Sequence, residues 1–279
     1  MNFVKIQATG NDFVLIDARR MKQRNWSALS KAICERHFGV GADGVLLVLP
    51  SAKADFFMRM YNPDGSEAEA CGNGLRCAAR FARDIGLANG PEIKIDTPAG
   101  IKRARIEGSE RIQVAIGKPE LKPSSIPVTV TIKGVPRSSP VIDYPLNIGK
   151  IKLKITCLSM GNPHAVCFLE QSVAEFPLAE VGPRVEHHPM FPSRVNFEIV
   201  NVSSRKKLKA RVWERGAGET LSCGTGACAI VVASRLKKLT DNPVDIILPG
   251  GTLNIDWDGK GEVYLSGPAE VVFEGEWKE

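Results

Sequence analysis

Short apolar, β-branched runs closed by Gly, Pro, Asn or Asp recur along the chain, and that rhythm predicts strands. In the first half they cover residues 13–17, 45–49, 56–61, 93–96 and 112–116. In the second half they cover 128–132, 165–169, 208–213, 244–248 and 253–257. Helical spacing is rarer. It predicts a helix over 27–37, with Leu29, Ile33 and Cys34 on one face behind Ser27 as the cap, and further helices over 75–85 and 227–236. The last two fall at matching points of each half. Strands wrapped around one main helix per half define an α+β plan.

The halves also match in wording. Cys71-Gly72-Asn73-Gly74 returns as Cys223-Gly224-Thr225-Gly226, 152 positions later. Gly10-Asn11 returns as Gly161-Asn162, and Thr97-Pro98-Ala99-Gly100 as Leu248-Pro249-Gly250-Gly251, both at an offset of 151. Three landmarks at nearly one offset indicate a duplicated unit. A polar, Pro-rich zone from Lys118 to Pro127 sets the boundary. The expected division is an N-terminal lobe over 1–118 and a C-terminal lobe over 119–267, with the pattern silent on where 268–279 packs. With one thiol per lobe, two cysteines can stand on opposite sides of a cleft. That placement suits chemistry needing a base on one face of a carbon and an acid on the other.

Composition narrows the classes. At 279 residues, with 43% hydrophobic and 24% charged side chains, the chain has the make-up of a soluble globular protein. The net charge of +6 is spread among acids, and the densest basic run, Arg205 to Arg211, alternates into a strand-like stretch. That is the pattern of a solvated strand face, not of a nucleic-acid patch. No segment reaches the roughly 20 apolar residues of a membrane span. Residues 1–7 lack a signal-peptide core, and seven cysteines form an odd set, so reduced thiols in a cytoplasm are expected.

Each Cys-Gly-X-Gly phrase immediately precedes a predicted helix. Backbone N–H groups at a helix start face an anion, and glycines let that backbone approach a ligand. The same positive end favours thiolate over thiol, which turns a cysteine there into a nucleophile or base. A single such phrase reads as a buried structural cysteine in a tight turn; two copies with the same flanks point to function. Cys-x5-Cys and Cys-x4-Cys are not zinc spacings, so no metal is expected. Cys77 and Cys228 should pack inward; Cys34, Cys157 and Cys167 lie in apolar runs and read as core. His187-His188 before Pro189 reads as an exposed loop. The halves differ at two telling places: Asn62 matches Glu214, and Phe13 matches His164. Glu214 and His164 are therefore candidates to orient a charged substrate group and tune Cys223. Without the repeats they would be a surface ion pair with Arg215 and a packed loop residue.

At these phrases the chain resembles the diaminopimelate epimerase family. The carriers are Gly10-Asn11-Asp12-Phe13, Asn62-Pro63-Asp64-Gly65-Ser66-Glu67, Cys71-Gly72-Asn73-Gly74 and Arg76-Cys77 in the first lobe. In the second they are Met160-Gly161-Asn162-Pro163-His164, Val195-Asn196-Phe197, the run Glu214 to Thr220, and Cys223 to Cys228. The resemblance implies two similar lobes, each a barrel-like, mainly antiparallel sheet around a central helix, with the active site in the cleft between them and the tail returned to the first lobe. It implies interconversion of L,L- and meso-2,6-diaminopimelate without pyridoxal phosphate, other cofactor or metal. Cys71 and Cys223 would alternate as thiolate base and thiol acid, assisted by His164 and Glu214. The backbone at Gly72-Asn73 and Gly224-Thr225 would hold the reacting carboxylate. Asn11, Asn62, Asn162, Asn196, Glu214 and Arg215 would hold the other polar groups, and Tyr264 would lie at the contact of a homodimer. The chain departs from some members at Gly44, where they carry a Gln ligand.

A proline or hydroxyproline racemase is the nearest alternative, but Arg215 and four asparagines suit a substrate polar at both ends. A dithiol redox protein would place its cysteines as Cys-x-x-Cys, which is absent. A scaffold role leaves two helix-start cysteines without a task.

Overall fold

The computed structural model describes residues 1–68, 71–108, 111–129 and 138–278. The chain divides into two compact units, Met1–Ala115 with Ser266–Glu279, and Ile116–Leu265.

The first unit begins with β1 (Asn2–Ala8) and β2 (Asn11–Asp17), followed by α1 (Trp26–Cys34), β3 (Gly44–Leu49), β4 (Phe56–Tyr61) and β5 (Glu67–Ala68). Then come α2 (Gly72–Asp84), β6 (Glu92–Asp96), β7 (Lys102–Glu107) and β8 (Arg111–Gly117). The second contains β9 (Val141–Ile148), β10 (Ile151–Ser159), β11 (Pro163–Phe168), α3 (Leu178–Glu186), β12 (Asn196–Ser204), β13 (Lys207–Glu214) and β14 (Gly218–Thr220). It continues through α4 (Gly224–Leu236), β15 (Val244–Leu248) and β16 (Gly251–Asp256) to β17 (Val263–Pro268), and β18 (Glu270–Glu276) closes the chain.

The two units repeat strand for strand. β1 pairs antiparallel with β2, β2 parallel with β3, β3 antiparallel with β4, and β4 parallel with β6. In the same order β10 pairs antiparallel with β11, β11 parallel with β12, β12 antiparallel with β13, and β13 parallel with β15. β18 lies antiparallel on β1 as β9 does on β10. Each parallel crossover carries a helix, the usual way for a parallel connection to cover a sheet face.

Within its unit α2 packs against β1, β2, β3, β6 and β7, and α4 packs against β10, β11, β12 and β16. Both helices are buried over most of their length, with alanines at many of the buried positions: Ala78, Ala79 and Ala82 in one, Ala227, Ala229 and Ala233 in the other. Small residues let a helix sit inside a curved sheet with close backbone approach. The α+β class and the two similar lobes read from the sequence are those of the structure.

Several boundaries moved. α1 is capped by Asn25, whose side chain accepts from Ala28 N, and not by Ser27; Trp26 occupies the first helical position and is buried. α1 also stops at Cys34, because Glu35 turns extended (ψ 128°) and its carboxylate accepts the N–H groups of His37 and Phe38. Of the strand expected over 128–132, residues 130–132 lie outside the described residues, and Val128 and Thr129 are not in a strand. The basic run behaves as its alternation suggests: Leu208 and Ala210 are buried while Lys207 and Lys209 face solvent. Among the described residues no helix is long and apolar enough to cross a membrane.

Candidate functional site

Both repeated cysteines are helix N-caps. Cys71 holds an extended backbone (φ −98°, ψ 155°) before α2, and its Sγ accepts from Gly74 N at 3.3 Å. Cys223 does the same before α4 (φ −112°, ψ 113°), accepting from Gly226 N at 3.4 Å. Sulfur thus takes the place of the usual capping oxygen on a third-position N–H. The glycine at that position leaves room for it. A Cβ on Gly74 would lie 3.4 Å from Cys71 Sγ, and one on Gly226 would lie 3.3 Å from Cys223 Sγ.

In the first unit the helix start is tied to β2 by amides. Asn73 Nδ2 donates to Asn11 Oδ1 at 3.1 Å, and Asn11 Nδ2 donates to Asp43 Oδ2 at 2.8 Å. Arg76, fully buried one turn into α2, donates to Asn73 Oδ1 (2.9 Å), Thr9 Oγ1 (3.3 Å), Gly72 O (3.4 Å) and Pro268 O (3.3 Å). Arg36 bridges Asp12 and Asp43, and Lys5 pairs with Asp12 at 2.5 Å. Burial pushes the Asp12 carboxyl up, but hydrogen bonds from Lys5 and Arg36 outweigh it and hold the group below its ordinary range. Asn62 stands apart from this chain of contacts, donating to Ser66 Oγ at 2.9 Å. Gly44 lies opposite Phe13 in the β2–β3 register.

The second unit brings an imidazole and two carboxyl groups to its cysteine cluster. Thr225 Oγ1 lies 3.6 Å from Cys223 Sγ and 3.3 Å from Asn162 Nδ2, which donates to it. His164, fully buried on β11, meets Asn162 Oδ1 through Nε2 at 2.9 Å and Glu198 Oε1 through Nδ1 at 2.7 Å. Glu214 accepts from Thr220 Oγ1 at 2.5 Å and is also a hydrogen-bond partner of Cys223. Burial, then the carboxylates of Glu214 and Glu198, push the Cys223 thiol well above its ordinary range, against a smaller opposing effect of Thr225. At Cys223, burial and the two nearby carboxylates thus act against the thiolate-favouring end of the helix expected from the sequence.

Asn196 and Arg215 form a separate group. Asn196 Oδ1 accepts from Arg215 N at 2.9 Å, and Asn196 Nδ2 donates to Pro163 O at 2.8 Å. Buried Glu186 fixes the adjoining turn, accepting from Gly216 N (2.9 Å) and Trp213 Nε1 (2.8 Å). The Arg215 side chain is exposed and reaches Ser193 O at 3.0 Å. Tyr264 stands partly exposed on β17. Cys77, Cys228, Cys34, Cys157 and Cys167 are buried, and burial raises the thiols of Cys77 and Cys157 as well as that of Cys167, the last to about 11. His187 is exposed at the end of α3 and His188 half-buried.

Of the residues singled out in the sequence, Asn11 and Asn73 meet at the Cys71 helix start, and Asn162, His164, Thr225 and Glu214 gather at Cys223, while Asn62, Asn196 and Arg215 make other contacts. Sequence reasoning missed Glu198, Arg76 and Asp43. Glu198 was open to detection: at the offset of 152 it matches Leu46, so after Phe13 and His164 it is a second place where the second half exchanges an apolar residue for a polar one.

The fold is shared with solved enzymes and biosynthetic proteins of low sequence identity. A phenazine biosynthesis protein of the PhzF family from Bacillus anthracis superposes with a TM-score of 0.70 at 20% identity, covering 100% of this chain and 99% of its own. A hydroxyproline epimerase from Agrobacterium vitis, with trans-4-hydroxy-L-proline bound, gives 0.69 at 13% identity over 99% and 91%. These likenesses define the class as a two-lobed α+β architecture. Sequence narrows it further. The model of the family described as diaminopimelate epimerase matches residues 3–122 and 156–272. Diaminopimelate epimerases from Acetivibrio thermocellus and Moorella thermoacetica are each 46% identical, over 99% of this chain and 98% and 99% of theirs. The chain belongs to the diaminopimelate epimerase family, and it is an isomerase of that family.

Proposed function

We propose that the protein interconverts L,L- and meso-2,6-diaminopimelate by moving one α-proton, with Cys71 and Cys223 as the two proton-transferring groups. The observation that carries this reading is that each repeat caps its central helix with a cysteine sulfur, in a chain 46% identical to diaminopimelate epimerases over nearly its whole length. Epimerisation needs a base to remove the proton and an acid to return one from the other face. One cysteine serves as thiolate, the other as thiol, and the reverse reaction exchanges them. Burial and Glu214 support the thiol form of Cys223 in the resting protein. The first-turn N–H groups at Gly72-Asn73 and Gly224-Thr225 hold the reacting carboxylate, where charge accumulates as the α-carbon loses its proton. Asn11, Asn62, Asn162, Asn196 and Arg215 hold the remaining amino and carboxylate groups, the exposed Arg215 guanidinium being suited to a bidentate grip. His164 and Glu214 assist at the Cys223 side. No pyridoxal phosphate or metal takes part. The product feeds lysine and peptidoglycan-precursor synthesis in the cytoplasm, and the working form is a homodimer with Tyr264 at its contact, which light scattering would read directly.

The test is proton NMR of the reduced protein with L,L-diaminopimelate in heavy water, without added cofactor. Loss of the α-proton signal with growth of the meso isomer is expected. No exchange by folded protein with titratable thiols would remove this substrate.

A further inference from the structure

In the second repeat His164 and Glu198 are both fully buried and hydrogen-bonded to each other at 2.7 Å. Glu198 Oε2 is buried without a hydrogen-bond partner. The equivalent pair of the first repeat is Phe13 and Leu46, both fully buried, on β2 and β3 as His164 and Glu198 are on β11 and β12. The registers agree: Leu15 opposes Leu46, and Val166 opposes Glu198. The glycine of each helix start rests on the same residue, with a Cβ on Gly74 placed 3.2 Å from Leu46 Cδ2 and one on Gly226 placed 3.2 Å from Glu198 Oε1.

One repeat therefore builds this layer from two apolar side chains. Folding does not ask for the carboxyl–imidazole pair, and burying a polar pair with an orphaned oxygen costs stability. What the pair adds is direction. His164 has one neighbour at each ring nitrogen, and Asn162 presents Oδ1 to Nε2 while its Nδ2 donates to Thr225 Oγ1. Nε2 therefore carries a hydrogen, and the hydroxyl of Thr225 is held at Cys223 Sγ. Burial raises the Glu198 carboxyl, with His164 acting against it and Glu214 adding to it. Around the pair stand Glu214 from β13, Cys223 at the start of α4 and Cys157 from β10.

We propose that Glu198 is a positioning residue for the Cys223 half of the reaction: its carboxyl anchors the His164 ring at Nδ1, and through Asn162 and Thr225 this fixes the hydrogen bonding of the Cys223 sulfur. The inference rests on the proton-transfer reading of Cys223 given above. It concerns turnover because the chain ends on the Cys223 sulfur, the proton-transferring group, and Glu198 itself bonds to His164 and to none of the residues assigned to the substrate's polar ends.

The experiment compares Glu198→Leu, which installs the residue of the first repeat, with Glu198→Gln, whose amide can still bond Nδ1. Kinetics with diaminopimelate are read beside nitrogen-detected imidazole spectra of histidine-labelled, substrate-free protein. For Glu198→Leu the expected result is a fall in kcat of about tenfold or more, KM within about twofold, and loss of the protected His164 Nε2 proton signal. Glu198→Gln is expected to keep that signal and to restore kcat to within about threefold of the parent protein. Parent-level kcat with an unchanged His164 signal in Glu198→Leu would overturn the proposal. So would a folded Glu198→Gln variant as slow as the leucine variant, because charge and not orientation would then be the contribution. Should the leucine variant not fold, Glu198→Asp, whose carboxyl withdraws from Nδ1, replaces it with the same expected loss. If the parent protein itself fails to exchange the α-proton, the substrate reading falls while the His164 spectra still decide whether Glu198 orients the ring.

Discussion

Asn11 and Asn162 occupy the same step of the two repeats, and each is bonded to the second residue of its own helix, Asn11 to Asn73 at 3.1 Å and Asn162 to Thr225 at 3.3 Å. The direction is reversed: Asn73 donates to Asn11, whereas Asn162 donates to Thr225. The duplicated framework thus keeps the tie between strand and helix start while leaving each cysteine a different polar neighbour. One lobe gains a neutral amide chain anchored on Asp43 and Arg76, the other an imidazole and two carboxyls.

Replacing either candidate sulfur separates acid from base. Cys71→Ala and Cys223→Ala are each expected to lower epimerisation by at least about 100-fold, the lower bound for losing a positioned proton-transfer group. Losing the sulfur cap costs about 1 kcal/mol, so both variants should unfold cooperatively near the parent temperature. Near-parent turnover in either variant would end the two-thiol mechanism.

Glu214 adds to burial in pushing the Cys223 thiol up. A nearby carboxylate raises a thiol, so neutralising it must lower that thiol toward its ordinary value. In Glu214→Gln, alkylation of Cys223 at a fixed pH of about 8 should be faster than in the parent, and its pH midpoint should move down. Mass-spectrometric counting of labelled Cys223 reads this directly. A midpoint that stays or rises would show that burial alone holds the thiol up.

Arg76 is a fully buried cation that donates to Asn73 Oδ1, Thr9 Oγ1, Gly72 O and Pro268 O, so it joins the start of α2 to the chain entering β18. Arg76→Ala leaves those acceptors buried and opens a cavity. The expected loss is about 3–5 kcal/mol, measurable by urea unfolding. A loss under about 1 kcal/mol would mean that water replaces the guanidinium at no cost.

Much of the site was legible because the duplication repeats chemistry along with structure. The two Cys-Gly phrases announce themselves, and Asn62 against Glu214 and Phe13 against His164 mark where the halves diverge. Glu198 escaped for a physical reason. β12 is buried on both faces from Asn196 to Val200, so the apolar–polar alternation that flags a half-exposed strand is missing there. α3 escaped because Gly182 and Pro183 interrupt its pattern, although the helix tolerates them: Gly182 lies against the Trp213 ring, where a Cβ would approach to 2.5 Å. β18 escaped because Val271, Val272 and Phe273 are exposed and its pairing with β1 joins the two ends of the chain.

The same substitution at the two helix starts should have unequal effects. A Cβ on Gly74 meets Leu46 Cδ2 at 3.2 Å, the far end of a side chain that can turn aside, and Cys71 Sγ at an ordinary 3.4 Å. A Cβ on Gly226 meets Cys223 Cβ at 3.2 Å, fixed by the backbone, together with Glu198 Oε1 at 3.2 Å and Cys223 Sγ at 3.3 Å. Alanine is also the better helix former by about 1 kcal/mol, which offsets part of the crowding in both variants. Gly74→Ala is therefore expected to retain stability within about 1 kcal/mol and turnover within about threefold, whereas Gly226→Ala should shift the sulfur and lower turnover by about tenfold or more. Parallel measurements of melting temperature and α-proton exchange separate the two effects. Equal losses in both variants would show that the crowding around Cys223 is relieved as readily as that around Cys71, and that the carboxyl beneath Gly226 is free to move.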